Sequence, residues 1–525
     1  MTLKPDRSQR AAGTFALTLL ASASLLLAAA PAAAQKLPQL GSDGLMSLSQ
    51  EARIGNDVAR EIYKDPEYLD DPLLVEYVDG IMQKLLTSGR ASGTIDATMN
   101  ERFVWRLMLG ANRTINAFSV PGGVFGVHAG LVGMTANADE LASVLAHEIS
   151  HVTQRHIARM QQRQAQMQPL LIGSMILGAI AAGKNADMGS AVLVGGQAAT
   201  IQNQLSYSRE MEREADRLGF LLLQQAGFRT AGFTQMFEKL QKANRINDDG
   251  SFPYLRTHPL TLERIADMRG RVPLAAAASG ATLDRQHALM AARARVLATD
   301  RVDSWRTMLE QAQLQLKAEP SAAPKSASAT TERLALLYQG ACAALRLNDR
   351  ASAAQLAAAL HKALPKTGQA GQQAGSNASA AQVERIVKLL DADIASAQGQ
   401  WPLVAQLSAS RADFYRPEFL LHTRALAEQG RAELAAEQLQ QWVAERPSDA
   451  GVWLALSQVN TRLGRTAQSV RAQAEASVAH YDYGMALAYL RSARNLQRQN
   501  LVEASILDAR IKEVEALQKW QDESS

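Results

Sequence analysis

The stretch Ala146-His147-Glu148-Ile149-Ser150-His151 contains two histidines four positions apart, with a glutamate directly after the first. Asn137 and Glu140 upstream can form a helix-capping box. Apolar residues recur on one stripe and predict a helix through this stretch, namely Leu141, Val144, Leu145 and Val152. Side chains four apart on a helix are neighbours, so both imidazoles can reach one tetrahedral zinc ion, and Glu148 then lies beside its open side. The alternative is a chance H-E-x-x-H on a solvated helix face.

A second segment, 208–216, carries carboxylates at helical spacing. Glu212 and Asp216 are four residues apart and therefore share a helix face. A catalytic zinc site of this kind needs a third protein ligand and keeps its fourth position free. We expect Glu212 to be that ligand, and Asp216 to accept a hydrogen bond from a ligand imidazole and so fix its tautomer. The alternative is a solvated acidic face that pairs with Arg209, Arg213 and Arg217.

Three strand-like segments precede the histidines. They are 103–109, 115–120 and 122–132, with a turn at Pro121-Gly122-Gly123 between the last two. Together they predict a small sheet directly before the metal helix. An edge strand has free backbone donors and acceptors, so it could hold an extended peptide by strand addition beside the zinc. The predicted substrate strand is Ala117, Phe118, Ser119 and Val120; the alternative is an ordinary hairpin.

Two apolar stretches bear on localisation. Residues 1–34 combine basic residues, an apolar run and a small-residue cleavage site, which predicts a cleaved secretory signal peptide. The apolar run 169–183 is too short to span a bilayer. It could form a buried hairpin, a flap over the site or a segment that dips into lipid, so peripheral membrane contact stays open.

The net charge argues against one class of function, and the cysteine content excludes one kind of cross-link. The 525 residues carry a formal net charge of +4 at pH 7, which argues against a dedicated nucleic-acid-binding protein. Cys342 is the only cysteine, so no intramolecular disulfide can form.

The carboxy-terminal part, from about residue 285, is rich in alanine, leucine and glutamine and has almost no strand pattern. Gly430 and Gly464 are 34 residues apart, which is the period of a tetratricopeptide repeat. An earlier unit, 337–365, has Asn348 where the later units have glycine, and 366–380 has the composition of a loop. Such repeats present a concave surface to polypeptide partners; the alternative is a helical cap that only stabilises the rest.

Several segments together resemble a known family. Asn116-Ala117-Phe118 with Pro121-Gly122-Gly123, then the 147–151 stretch, then Glu212 to Asp216, occur in the order seen in the gluzincin family of HtpX and the CAAX prenyl proteases. Thr257-His258-Pro259 with residues 263–265, the signal peptide and the helical tail narrow the resemblance to soluble BepA-like periplasmic proteases. The resemblance implies one Zn²⁺ per chain, bound by His147, His151 and Glu212, with Glu148 as general base.

The predicted architecture follows from these segments. A signal peptide (1–34) precedes an α+β zincin domain (35–275), mainly helical with a small β-sheet, and an all-α tetratricopeptide-repeat solenoid (285–525) follows. Zinc activates water for attack on a peptide carbonyl, and Glu148 is the expected general base. His258, Arg209 and Tyr207 are candidates for an oxyanion donor; alternatively, His258 could act as a latch on the fourth zinc position.

The predicted function is that of a periplasmic zinc endopeptidase with a chaperone-like repeat domain. By resemblance, its partners are misfolded or assembling outer-membrane β-barrel proteins and the barrel assembly machinery. The alternative is a non-proteolytic repeat adaptor or chaperone in which zinc is structural.

Overall fold

The computed structural model describes residues 46–164, 208–246, 252–272, 284–317, 327–364, 374–409 and 415–522. The predicted signal peptide and the run 169–183 lie outside these ranges. All described residues belong to one compact unit, 43–525. None of the described helices combines the length and apolar character needed to cross a membrane.

The amino-terminal part is helical with four short strands. Its helices are α1 (Leu48–Lys64), α2 (Pro72–Ala91), α3 (Ala97–Arg102), α4 (Ala129–Met134), α5 (Ala138–Thr153), α6 (from residue 156 to at least 164), α7 (208–225 as described), α8 (Ala231–Ile246), α9 (Pro253–Thr257) and α10 (Leu262–Arg271). Its strands are β1 (Tyr68–Leu69), β2 (Arg106–Gly110), β3 (Ala117–Val120) and β4 (Val124–His128). This composition confirms the predicted mainly helical fold with a small sheet.

The four strands form one mixed sheet in the order β1-β2-β4-β3. Strands β2 and β4 are parallel, whereas β1 pairs with β2, and β3 with β4, in antiparallel fashion. Strand β3 is therefore an edge strand among those described. The predicted strand over 122–132 is wrong beyond His128, because residues 129–134 form α4. Periodicity alone cannot distinguish a short buried strand from a buried helix, and this segment is apolar throughout.

The turn between β3 and β4 requires glycine. Gly122 and Gly123 have φ of +86° and +83°, a region that L side chains rarely adopt. A Cβ at Gly122 would also lie 2.6 Å from the carbonyl oxygen of Glu51 in α1. The hairpin is therefore held directly against the backbone of α1.

Helix α5 is the central element of the amino-terminal part. It packs against α2, α8 and β3, and nearly all of its residues are buried. The Asn137 side chain accepts a hydrogen bond from Glu140 N at 2.9 Å, as the predicted capping box requires. The reciprocal half is wrong: the buried Glu140 carboxylate is instead occupied by two other donors, Ala136 N and Lys239 Nζ, 2.7 and 2.6 Å away.

The carboxy-terminal part consists of helices only, in the residues described. They are α11 (Arg285–Leu297), α12 (Val302–Lys317), α13 (Ala327–Arg346), α14 (Arg350–Ala363), α15 (Ala374–Ala397), α16 (Trp401–Ser408), α17 (Arg416–Glu428), α18 (Ala432–Glu445), α19 (Ala450–Arg462), α20 (Thr466–Ala479), α21 (Tyr483–Leu496) and α22 (Leu501–Asp522). The predicted loop over 366–380 is wrong from Ala374 onward, where α15 has already begun.

Consecutive helices of this part form antiparallel pairs with a regular period. Helices α17 and α19 begin 34 residues apart, at Arg416 and Ala450. Gly430, Gly464 and Asn348 each lie between the two helices of a pair, with φ of +79°, +70° and +57°. Asparagine tolerates this left-handed conformation better than most side chains, so it can replace glycine there. The assignment of the pairs to the tetratricopeptide class stays a prediction.

Hydrophobic contact and ion pairs connect the two parts. One hydrophobic core extends from Leu73 to Ile394, across the predicted boundary near residue 280. Arginines of the helical tail pair with carboxylates at or just before α2: Arg293 with Asp71, Arg385 with Glu76, and Arg416 with Asp70. Further along, the His480 ring stacks on Tyr63 of α1, with centroids 3.9 Å apart. These contacts hold the tail against α1 and α2.

Candidate metal centre

His147 and His151 face each other across one turn of α5. Their Nε2 atoms are 2.9 Å apart, and the side chains are only 2% and 13% exposed. This proximity follows from the i, i+4 spacing that the sequence already contained.

Glu212 of α7 and His258, the residue directly after α9, complete a cluster with His147 and His151. Glu212 Oε2 lies 3.5 Å from His147 Nε2, and Glu212 Oε1 lies 3.5 Å from His151 Nε2. His258 Nδ1 is 3.1 Å from Glu212 Oε1 and 3.4 Å from His147 Nε2. One donor atom from each of the four residues can be chosen so that all lie within 4.8 Å of one another.

The spacing of these donors fits a tetrahedral metal ion. Two ligand atoms that are each about 2.0–2.1 Å from a tetrahedral zinc ion lie roughly 3.3 Å from each other. The shortest separations between donor atoms of the cluster run from 2.9 to 3.5 Å, with a different Glu212 oxygen nearest to His147 and to His151. Imidazole nitrogen and carboxylate oxygen are also ligands that zinc accepts. The cluster could therefore hold a metal ion.

Asp216 lies behind His147, on the side that faces away from the other donors. Its Oδ1 is 3.0 Å from His147 Nδ1, the nitrogen that faces away from the cluster. Burial alone would lower the pKa of His147, but hydrogen bonds and charge from Asp216 and Glu212 outweigh burial and raise it to about 9. Glu212 and Asp216 are 5% and 1% exposed, so they do not form a solvated acidic face.

Arg264 of α10 holds both of these carboxylates. Its Nε and Nη2 donate to the two oxygens of Asp216 at 2.7 and 2.8 Å, and its Nη1 lies 3.0 Å from Glu212 Oε2. Burial opposes ionisation of Asp216, but the hydrogen bonds from Arg264 and His147 keep its pKa below the ordinary value. Arg264 falls in the 263–265 segment that contributes to the family resemblance, but no role was predicted for it from the sequence. The sequence did contain one signal: Arg264 lies four residues before Met268, so a helix places it on the same face as this apolar residue, and that face of α10 is buried.

Glu148 lies next to the cluster and is 1% exposed. Ser119 Oγ on β3 donates to its Oε2 at 2.9 Å. Its Oε1 lies 3.4 Å from His258 Nε2 and has no hydrogen-bond donor among the described residues. One carboxylate oxygen is thus held by the edge strand while the other is uncommitted. This contact with Ser119 was not predicted.

The β3 backbone alternates between inward and outward groups. His128 N bonds to Asn116 O, so in this antiparallel register the hydrogen-bonded positions of β3 are Phe118 and Val120. The N–H and C=O groups of Ala117 and Ser119 therefore point away from β4, toward the open edge. The Phe118 side chain packs over Gly126, where a Cβ would collide with the ring.

The second histidine has a neighbour that sequence reasoning left without a role. His156 Nδ1 lies 2.8 Å from His151 Nδ1, and His156 Nε2 lies 3.1 Å from Glu214 Oε2. Arg159 Nη1 donates to the same Glu214 oxygen at 2.8 Å. Of the other oxyanion candidates, Tyr207 lies outside the described residues, and Arg209 is exposed.

Comparisons with known proteins agree with this geometry. Residues 80–272 match the model of peptidase family M48. The beta-barrel assembly-enhancing protease of Escherichia coli (strain K12) is 34% identical over 244 residues, 45% of this chain and 47% of its own. That of Yersinia pestis is 34% identical over 241 residues, with the same coverage. Mitochondrial metalloendopeptidase OMA1 of Saccharomyces cerevisiae is 25% identical over 235 residues, 43% of this chain and 64% of its own. The match spans about half the length of the beta-barrel assembly-enhancing proteases.

Proposed function

We propose that the protein is a zinc-dependent endopeptidase that cleaves extended polypeptide segments, since residues 80–272 match the model of peptidase family M48. His147, His151 and Glu212 would hold one zinc ion per chain. The observation that carries the proposal is the convergence of these donors, 2.9 to 3.5 Å apart, beside a buried glutamate with an uncommitted oxygen.

The chemistry divides between the metal and Glu148. When bound, zinc polarises a peptide carbonyl and lowers the pKa of water. Glu148 Oε1 accepts the proton of the attacking water and then delivers it to the leaving amine, as a general base and acid. Ser119 holds the other carboxylate oxygen, so Glu148 keeps one orientation throughout.

We propose that the substrate binds as an added strand on β3. The outward groups of Ala117 and Ser119 supply donors and acceptors on every second residue. The hydrogen bond between Ser119 and Glu148 links this strand to the base, so a peptide bound there passes the metal cluster.

His258 has two possible roles in this scheme. Its Nδ1 lies among the donor atoms and fits a fourth ligand, which would keep the peptidase latent until a substrate moves it. Its Nε2 lies 3.4 Å from Glu148 Oε1, which suits a donor that steadies negative charge during catalysis. The position of His258 Nδ1 among the donor atoms favours the role of a latch.

The proposed substrates and location rest on the names of the relatives and on the predicted signal peptide. The names of the E. coli and Y. pestis relatives support a role in β-barrel assembly. We propose that the protein acts in the periplasm on misfolded or assembling outer-membrane proteins and works with the barrel assembly machinery. The helical pairs of the tail would bind these partners as tetratricopeptide repeats and act as a chaperone.

The experiment that tests the enzymatic proposal compares two substitutions at equal zinc content. Glu148→Gln should keep zinc but lower cleavage of an unstructured peptide at least about 10²-fold, since the base is lost. Glu210→Gln changes an exposed carboxylate on α7 and is the matched control. Equal activity of wild type and Glu148→Gln would contradict the mechanism. Zinc binding without cleavage by any form would favour an adaptor with structural zinc.

Strand addition has its own test. Amide N-methylation, moved one residue at a time along a cleavable peptide, should raise KM at alternate positions only, because a strand presents every second amide to its neighbour. A uniform effect at all positions would contradict binding on β3.

A further inference from the structure

The Nδ1 atoms of His147 and His151 are held differently. His147 Nδ1 faces a carboxylate directly, and Arg264 holds that carboxylate. His151 Nδ1 instead faces another imidazole, that of His156, at 2.8 Å. Beyond His156 come Glu214 and Arg159, so this path also ends in a carboxylate and an arginine. His147 and His151 are thus each backed by a carboxylate–arginine pair, His151 through the additional ring of His156.

The hydrogen bonds of this path permit one arrangement of protons. His151 points Nε2 at the other donors of the cluster, so its own proton sits on Nδ1 when it binds metal. That proton can be donated only if His156 Nδ1 is the acceptor. The His156 proton then sits on Nε2 and is donated to the Glu214 carboxylate. Because the Glu214 carboxylate can only accept a hydrogen bond, the direction of each hydrogen bond from His151 through His156 to Glu214 is fixed.

The backbone aims His156 at this position. Helix α5 ends at Thr153, and Arg155 has φ of +53°, a left-handed conformation that non-glycine residues rarely adopt. The Arg155 side chain is tied to the buried Glu51, with Nε 2.6 Å from Oε1. The sharp turn starts α6 at His156 and brings its ring back to His151, with the two ring planes at 81°.

We propose that His156 is a positioning residue that fixes the tautomer and ring orientation of His151 for metal binding, with Glu214 and Arg159 as its anchor. This inference rests on the proposed zinc site. Partners of this kind behind a metal-binding histidine raise metal affinity roughly 10- to 100-fold. His156 itself touches neither substrate nor metal in this scheme.

The test measures zinc affinity of the full-length protein by competition with a chromophoric chelator. His156→Leu fills similar space without an acceptor and should weaken zinc binding about 10- to 100-fold. His156→Asn keeps an acceptor near the Nδ1 position and should recover most of the affinity. Glu214→Gln changes only the anchor and should give an intermediate loss. His361→Leu removes a half-exposed histidine of α14, paired with Asp391, and is the control that should change nothing.

The outcomes separate this inference from the proposed function. Wild type that binds no zinc would overturn both, whereas wild-type affinity in His156→Leu would overturn only the positioning role. Equal losses in His156→Leu and His156→Asn would mean that the ring acts by packing. A second measurement does not depend on folding of the variants: ¹⁵N NMR of the zinc-loaded, histidine-labelled wild type should show His156 protonated on Nε2 and bare on Nδ1. The reverse tautomer would refute the proposal.

Discussion

Replacing Arg264 by methionine should loosen the packing between α7 and α10. Arg264 is 4% exposed, and it makes two hydrogen bonds to Asp216 and one close contact to Glu212, at 2.7 to 3.0 Å. Methionine keeps much of the buried volume but removes the guanidinium that both carboxylates share. Removing one partner of a buried ion pair costs about 3–5 kcal/mol. We expect a local destabilisation of this size in the metal-free protein.

Hydrogen exchange followed by mass spectrometry measures this quantity, because it reports the free energy of local opening in each helix. A loss of about 3 kcal/mol corresponds to exchange roughly 10²-fold faster in α7 and α10. Arg264→Lys keeps the charge but not the two-pronged geometry and should give an intermediate result.

The matched control is Arg213→Met on α7. Arg213 pairs with Glu263 at 2.7 Å, but the two side chains are 39% and 68% exposed, so the pair contributes at most about 1 kcal/mol. If exchange in Arg264→Met were no faster than in Arg213→Met, the reasoning about a buried charge network would be refuted.

Three further predictions follow from the site and its surroundings. Glu212→Ala should lose zinc while Glu210→Ala retains it, measured as metal content after gel filtration; the reverse would mean that the wrong carboxylate was chosen. His258→Ala should raise basal cleavage of an unstructured substrate, whereas a loss as deep as in Glu148→Gln would make His258 a catalytic donor. Burial lowers the pKa of His287 from 6.5 to about 4, so the unfolded chain binds more protons between these values. Stability should therefore fall by up to about 3 kcal/mol as the pH drops through this range. Urea unfolding midpoints of wild type and His287→Asn, compared from pH 7 to pH 4, measure how much of this loss of stability is due to His287. Identical pH profiles of the two proteins would contradict the prediction.

Local patterns predicted the helix that carries the first two candidate metal donors. The spacing of His147 and His151, with Asn137 as helix cap, was sufficient because an α-helix places i and i+4 side by side whatever surrounds it. The strand over 117–120 and the glycine turn after it were predicted for the same reason, since alternation and positive φ are properties of a few adjacent residues. The prediction failed at 129–134, where an apolar run carries no periodicity to distinguish strand from helix.

The sequence alone therefore determined the helix that carries His147 and His151, the candidate third donor Glu212, the edge-strand segment and the 34-residue period of the tail. Only the tertiary structure decided which side chains support them: Arg264 behind Asp216, Ser119 on Glu148, and His156 behind His151. The physical reason is the distance along the chain between the residues that interact. Helix and strand patterns arise from contacts between near neighbours in the chain, whereas a buried ion pair or hydrogen bond depends on which distant surfaces pack together. That choice is made by the whole hydrophobic core, and no short stretch of sequence contains it.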